Sequence, residues 1–303
     1  YGAKSLNEFL DEQADLDANL CAKDTMGRLC NNAAEVQEGV EHFAKLGFDR
    51  LVFKQEFGLS GKNQKIFDVD EFKKIKPLIA EQKGVLEPWL EKVFDFSFQF
   101  TMCETGEFKR LGLVRFLTDD VGKYRGALLG GFHLGLNDHC LRFINQKVGD
   151  RPFIDEMFTR MEKFLNSKVA TGFRPQAVGV DAFVFRNRNG ELKLRPIVEI
   201  NPRYNMGTVT SKIESRLMPR RAGQWLILTV ADIKRMGFND FNGFAKKMSA
   251  DYPLVIKNVG RPQIDSGVLF TTDPERAEHF ISVLTVAKNL DELGQMLSRK
   301  PGA

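Results

Sequence analysis

Hydrophobic residues recur at helical spacing after Asn32, at Val36, Val40, Phe43 and Leu46, and Gly47 follows as a stop. Asn32 is the predicted N-cap, with Glu35 three residues on as its capping-box partner. Leu51-Val52-Phe53 ahead of Lys54 reads as a buried strand that runs into Gln55-Glu56-Phe57-Gly58-Leu59-Ser60-Gly61. A second strand and a helix follow, the helix capped near Asp68 and kinked or ended around Pro77. Residues 85–90 form a short strand. Between 95 and 104 the period changes to two: Phe96, Phe98, Phe100 and Met102 on one face, Ser97, Gln99 and Thr101 on the other. Thr105-Gly106 turns the chain, and 108–116 returns. Ile154, Met157, Phe158, Met161, Phe164 and Leu165 mark an amphipathic helix. Two strands then flank Asn189-Gly190. The tail reads as strands at 254–257 and 267–271, a helix with Pro274 near N1, a strand at 281–287, and a helix capped by Asn289 with Glu292 at N3. Residues 1–30 and 212–250 carry no clear period, and the glycine-rich stretch 119–150 reads as irregular and site-forming.

Composition narrows the function classes. With 303 residues and 43% hydrophobic residues the chain can bury a large core. Net charge is +4 and basic residues are interspersed with acidic ones, so no nucleic-acid stripe is expected. No apolar run reaches the ~18 residues of a membrane span. Cys21, Cys30, Cys103 and Cys140 lack a CxxC spacing and read as reduced thiols of a cytoplasmic protein.

The strand after the Asn189-Gly190 turn carries the chemistry. By alternation Glu199, Asn201 and Arg203 share a face, while Val198 and Ile200 point into a core. Asp181, across the turn, approaches Glu199 if the strands pair. Two carboxylates and an amide oxygen suit Mg²⁺, which keeps phosphate oxygens among its ligands. A surface salt-bridge ladder is the competing reading, disfavoured by the apolar flanks. The glycine loop 58–61 lies between strands, unlike a Walker or Rossmann loop, and taken alone it reads as an ordinary turn. Glu87-Pro88-Trp89-Leu90 is a strand end that can offer backbone groups to an adenine edge, and Asp95 can accept ribose hydroxyls. Taken singly, Trp89 reads as a core anchor and Glu87 as a solvated acid.

In order, Lys23-Asp24, Lys54 with Gly58-Leu59-Ser60-Gly61, Glu87-Pro88-Trp89-Leu90, Asp95, Asp181 and Glu199-Ile200-Asn201-Pro202-Arg203 resemble the ATP-grasp superfamily, over about residues 20–210. The resemblance points to carboxylate–amine ligases with biotin-carboxylase-like, purine-ligase-like or D-alanine–D-alanine-ligase-like cores. It implies an α/β (α+β) fold in which two α+β subdomains grip ATP between antiparallel sheets, with a small α/β C-terminal extension. The expected boundaries are 1–30 for a remnant or linker, 31–92 for the small subdomain, 93–215 for the large one and 216–303 for the extension. It further implies that Lys23 and Lys54 hold the nucleotide phosphates and that Gly58, Ser60 and Gly61 close over them. Glu87 would bind the adenine amino group, Trp89 and Leu90 would give backbone contacts, and Asp95 would bind ribose. Asp181, Glu199 and Asn201 would hold Mg²⁺ or Mn²⁺, and Arg203 would steady the transferred phosphate. Arg115 or Arg125 could clamp a substrate carboxylate; a solvated basic loop is the equal alternative. Family members usually carry a Rossmann-like domain before the first lysine. A chain that begins with Tyr, 22 residues ahead of Lys23, is therefore expected to be processed, or part of something longer.

The implied activity joins a carboxylate, activated by ATP as an acyl phosphate, to an amine of an amino acid or peptide. A homodimer is compatible with it, and no nucleic acid or membrane partner is expected. The rivals are a phosphotransferase on the same fold and a non-catalytic nucleotide-binding module of a larger synthetase. Glu199→Gln weakens a metal ligand without changing volume, so it is expected to abolish turnover in an ADP-release assay while leaving the circular-dichroism spectrum unchanged. Near-normal turnover would remove the metal assignment.

Overall fold

The computed structural model describes residues 2–55, 64–79, 82–168 and 175–298. In chain order the elements are helix α1 (Gly2–Asp11), strand β1 (Arg28–Cys30), α2 (Ala33–Lys45), β2 (Arg50–Gln55), β3 (Gln64–Asp68), α3 (Phe72–Ile79), β4 (Gly84–Pro88), β5 (Glu91–Met102), β6 (Phe108–Thr118), β7 (Tyr124–Leu129), α4 (Asp138–Asn145), β8 (Lys147–Val148), β9 (Arg151–Pro152), α5 (Phe153–Lys168), β10 (Ala177–Arg186) and β11 (Leu192–Asn201). The chain continues through α6 (Met206–Glu214), β12 (Ala222–Thr229), α7 (Val230–Arg235), α8 (Phe241–Asp251), β13 (Val255–Asn258), β14 (Pro262–Phe270), β15 (Phe280–Ala287) and α9 (Leu290–Ser298). It divides into two compact units: one comprises the chain up to Phe96 with Thr118–Tyr124 and Val180–Asn201, the other Ser97–Leu117, Arg125–Gly179 and the chain from Pro202 on.

The first unit is built on a sheet of order β1-β4-β2-β3, antiparallel throughout. Val36, Val40 and Phe43 of α2 and Phe72 of α3 bury against Leu51, Phe53 and Leu86 of the strands. Helix α2 starts where the capping pattern places it: Asn32 Oδ1 accepts from the amides of Ala34 and Glu35, each at 3.0 Å. The Glu35 carboxylate reaches one residue further back than a capping box requires, to the Asn31 amide at 2.8 Å. Gly47, at φ +80°, ends the helix in the left-handed conformation.

In the same unit β11, β10 and the start of β5 are neighbouring strands. The β10–β11 hairpin turns through Asn187-Arg188-Asn189-Gly190, with Gly190 at φ +78° and its amide donating to Asn187 O at 2.9 Å. The tip is fastened: the Arg188 guanidinium lies 3.9 Å from the Phe48 ring centroid and donates to Leu46 O at the end of α2.

The unpatterned stretch 1–30 contains a helix. Leu6, Phe9 and Leu10 of α1 are buried, at the i, i+3, i+4 spacing of a packed face, and the helix lies against β11. Only three large apolar residues carry the pattern, too few for the period to stand out. Beyond α1 the chain adds a parallel bridge from Leu20 to Leu194, with Cys21 N donating to Leu194 O at 2.8 Å.

In the second unit the strand order is β10-β5-β6-β7-β12-β15-β14-β13. Phe244 of α8, Ile233 of α7 and Leu293 of α9 bury against Ile281 and Val283 of β15. Phe98 and Phe100 are buried as the alternation requires, but so are Ser97 and Gln99 on the opposite face. Gln99 Nε2 donates to Ser97 Oγ at 2.8 Å, and Thr208 Oγ1 of α6 donates to Gln99 Oε1 at 3.1 Å. Gly207 permits this: a Cβ there would stand 2.2 Å from Gln99 Nε2.

Two expectations are corrected. Residues 119–150 are not irregular throughout, since they hold β7, α4 and β8; glycines at positive φ between β7 and α4, such as Gly130 at +114° and Gly131 at +104°, separate pieces too short to show a period. No helix follows Pro274. Glu275 N bonds Asp273 Oδ1 at 3.0 Å, and Ser282 N bonds Thr272 Oγ1 at 2.8 Å, so the segment closes as a turn between β14 and β15. The stretch 212–250 resolves into the end of α6, then β12, α7 and α8.

Helix α1 is tested by Phe9→Ala. Phe9 is fully buried, and its removal is expected to cost about 3–5 kcal/mol in denaturant unfolding. A loss below about 1 kcal/mol would place α1 outside the cooperative core.

Candidate functional site

Strands β2 and β4 pair with Val52 opposite Glu87 and Lys54 opposite Val85. That register brings the Lys54 ammonium onto Glu87 Oε1. The other carboxylate oxygen, Oε2, accepts from Arg195 Nη2 of β11 at 2.5 Å. Arg195 Nη1 donates to Thr25 O at 3.2 Å. Glu87 is 6% exposed and Arg195 2%, so the pair is withdrawn from water, whereas the Lys54 side chain keeps 35% exposure. Burial alone would raise the Glu87 pKa; the Arg195 and Lys54 charges outweigh it and lower the value to about 2. The solvated acid expected at this position is thus a buried, ionised clamp.

Asp95 is also buried and doubly held, accepting from Lys92 Nζ and from Thr118 Oγ1, each at 2.9 Å. Lys92 lies 4.9 Å from the Phe183 ring centroid. Trp89 donates its backbone N–H to Arg50 O at 2.9 Å, and its ring borders Gly122, where a Cβ would stand 3.5 Å from Trp89 Cη2. Trp89 and Leu90 are both partly exposed at the strand end.

At the far end of β11, Asn201 Nδ2 donates to Asp181 Oδ2 at 3.1 Å. Glu199 is exposed, and Val198 and Ile200 are only half-buried rather than core residues. The strand ends at Asn201, so Arg203 does not continue the face of Glu199 and Asn201; Pro202 cannot donate to a ladder, and Arg203 is exposed beyond it. Among the described residues no three His, Cys, Asp or Glu side chains form a metal cluster. The Asn201–Asp181 bond brings those two residues together, with Glu199 two residues before Asn201 on the strand.

The remaining expected residues are placed as follows. Lys23 stands in a short turn, Lys23–Thr25, and ion-pairs with Asp11 at the surface; the Asp11 contact raises its pKa. Gly58, Ser60 and Gly61 lie outside the described residues. In the second unit Arg115 is largely buried and donates to Leu134 O, and burial lowers its pKa. Arg125 is bound to Asp232, whose carboxylate also takes the Thr229 amide at 2.7 Å in the capping box of α7.

Two residues escaped the sequence reading. Arg195 shares the alternation of Glu199 and Asn201 counted back along the strand, so a charged residue in the apolar run Leu194–Ile197 was the available signal. Lys4 lies on the first turn of α1, and its side chain is 84% exposed. The start of that helix abuts β11 so closely that a Cβ at Gly2 would stand 2.5 Å from Val198 O and 3.8 Å from Glu199 Cα.

No family model and no curated protein matches the chain. Solved structures do. The ADP complex of an N5-carboxyaminoimidazole ribonucleotide synthetase superposes with a TM-score of 0.55 at 12% identity, covering 97% of this chain and 67% of that one. The Staphylococcus aureus N5-carboxyaminoimidazole synthetase complexed with ADP gives 0.55 at 13% identity, covering 97% and 68%. The biotin carboxylase domain of Hydrogenobacter thermophilus 2-oxoglutarate carboxylase, in complex with MgADP, ADP and bicarbonate, gives 0.53 at 13% identity, covering 97% and 64%. These neighbours share the ATP-grasp fold, and the chain has that fold.

The clamp generates a stability prediction. Glu87→Gln leaves Arg195 buried without its counter-charge, at a cost of about 3–5 kcal/mol. Because the folded-state pKa is depressed from 4.5 to about 2, the carboxylate's contribution is full above pH 4.5 and is lost as pH falls through 2. Urea unfolding of the wild type and variant is expected to differ most near neutrality and to converge as pH falls to about 2. A gap that stays constant as the carboxylate protonates would mean that the Glu87 charge is not its source.

Proposed function

We propose that the chain is an ATP-dependent ligase that activates a carboxylate as an acyl phosphate and joins it to an amine, with Mg²⁺. One observation carries the reading: strand β11 serves two stations. Arg195 ties it to Glu87, next to the Trp89-Leu90 strand end, and Asn201 ties it to Asp181. Six residues of strand separate them, roughly 20 Å, enough to lay out a nucleoside triphosphate with its base at one station and its terminal phosphate at the other. The shared fold, and the nucleotides carried by the neighbours, support the same direction.

In this reading Leu90 offers backbone groups to the base and Asp95 lies at the ribose. Lys54 holds phosphate oxygens. Lys4, on the helix start beside Glu199, joins or replaces Lys23 as the second phosphate cation. Asp181, Glu199 and the amide oxygen of Asn201 form an all-oxygen donor set that fits a hard cation. Bound there, Mg²⁺ would neutralise charge on the phosphate oxygens. The substrate carboxylate attacks the γ-phosphorus, the bond to the β-phosphate oxygen breaks, and ADP leaves. The amine then adds to the acyl carbon, loses a proton and expels phosphate. Negative charge shifts among phosphoryl oxygens throughout, so the cation Lys54 acts by position and charge. Loss of one such contact costs about 3–4 kcal/mol in the transition state.

Screening amino acids and small peptides in pairs with Mg-ATP is expected to find one pair that yields ADP, phosphate and amide in equal amounts. A stable phosphorylated product instead would make the chain a phosphotransferase, and no Mg-ATP binding by calorimetry would remove the nucleotide reading altogether.

A further inference from the structure

Glu87 has one negative charge and two cationic partners, one on each oxygen. The partners are not equivalent. Arg195 is 2% exposed, is also fixed by Thr25 O at 3.2 Å, and has its guanidinium carbon 6.0 Å from the Phe183 ring centroid. It cannot leave. Lys54 keeps 35% of its side chain exposed and sits on a flexible stem. If Lys54 were the only partner, moving its ammonium to a phosphate would strip a buried carboxylate of its last counter-charge, a costly step. With Arg195 in place Glu87 keeps a cation when Lys54 departs, and the trio carries a surplus positive charge whose sole water-accessible member is Lys54.

We infer that Arg195 is a positioning residue: it neutralises Glu87 permanently, so that Lys54 is held in place but released at low cost to the phosphates of a bound nucleotide. The inference rests on the nucleotide reading above and adds a role for two residues that need not touch the ligand. It assigns Glu87 to the lysine rather than to the adenine amino group.

The test is calorimetric binding of Mg-ATP and of adenosine, which has no phosphate, to wild type and variants. In Arg195→Met, Lys54 becomes the only counter-charge of Glu87. Affinity for Mg-ATP is expected to fall by about tenfold or more, while adenosine affinity stays within about twofold. Adding Glu87→Gln removes the competing carboxylate, and the double variant is expected to regain Mg-ATP affinity to within about threefold of wild type. Equal losses for ATP and adenosine, or no recovery in the double variant, would overturn the inference. Should Arg195→Met not fold, the double variant, which has no buried unpaired charge, decides alone: a loss of about tenfold in Mg-ATP affinity overturns the inference. If wild type binds adenosine and Mg-ATP but the variants lose both equally, only this role falls; if wild type binds neither, the nucleotide reading falls with it.

Discussion

A carboxylate taken out of water needs its charge answered on the spot, and the first unit is organised around one such answer. Glu87 is reached from β2 by Lys54 and from β11 by Arg195, while Arg195 reaches on to the turn at Thr25. Three segments far apart in the chain are thereby held to a single side chain. Replacing the group with a neutral one removes no packing volume but leaves a guanidinium in a low-dielectric interior, which is the expensive half of a buried ion pair. Arrangement, more than the number of bonds, gives the clamp its importance.

The clamp sets where β11 lies, and β11 sets where the chemistry can be. From Arg195 the strand runs to Asn201, which meets Asp181, and the exposed Glu199 lies between them. Packing α1 against the strand brings the start of that helix, at Gly2, to the same end. The reading proposed for the chain, phosphoryl chemistry, would ask for cations and hard oxygen donors at fixed positions and little else from the protein. A rigid strand with a buried anchor at one end supplies that better than a loop.

Local features were legible in the sequence and long-range partners were not. Asn32 and Gly47 delimit α2 as their capping chemistry dictates, and Phe98 and Phe100 are buried on one face of β5. Alternation could not show that Ser97 and Gln99 are buried too, because their partner Thr208 is supplied by a helix about a hundred residues later. Lys54, Glu87 and Asp95 stood out as residue types suited to a nucleotide, yet nothing local reveals that each is already partnered. Alternation extended too far at Arg203, where Pro202 ends the strand, and the tail helix failed because Asp273 closes an Asx turn. The fold-level likeness holds at 12% identity, where the arrangement of elements is shared while most side chains differ.

The hairpin tip has a mechanical meaning. Arg188 stacks on Phe48 and bonds Leu46 O, so the β10–β11 hairpin is clamped at its turn; Arg195 clamps it again partway along. Beyond the second clamp, residues 196–201 are held by α1, which lies against the strand, and by the bond from Asn201 to Asp181. Residues 199–201 therefore take their position from several fixed points at once: the end of α2, Glu87 on β4, Asp181 and α1.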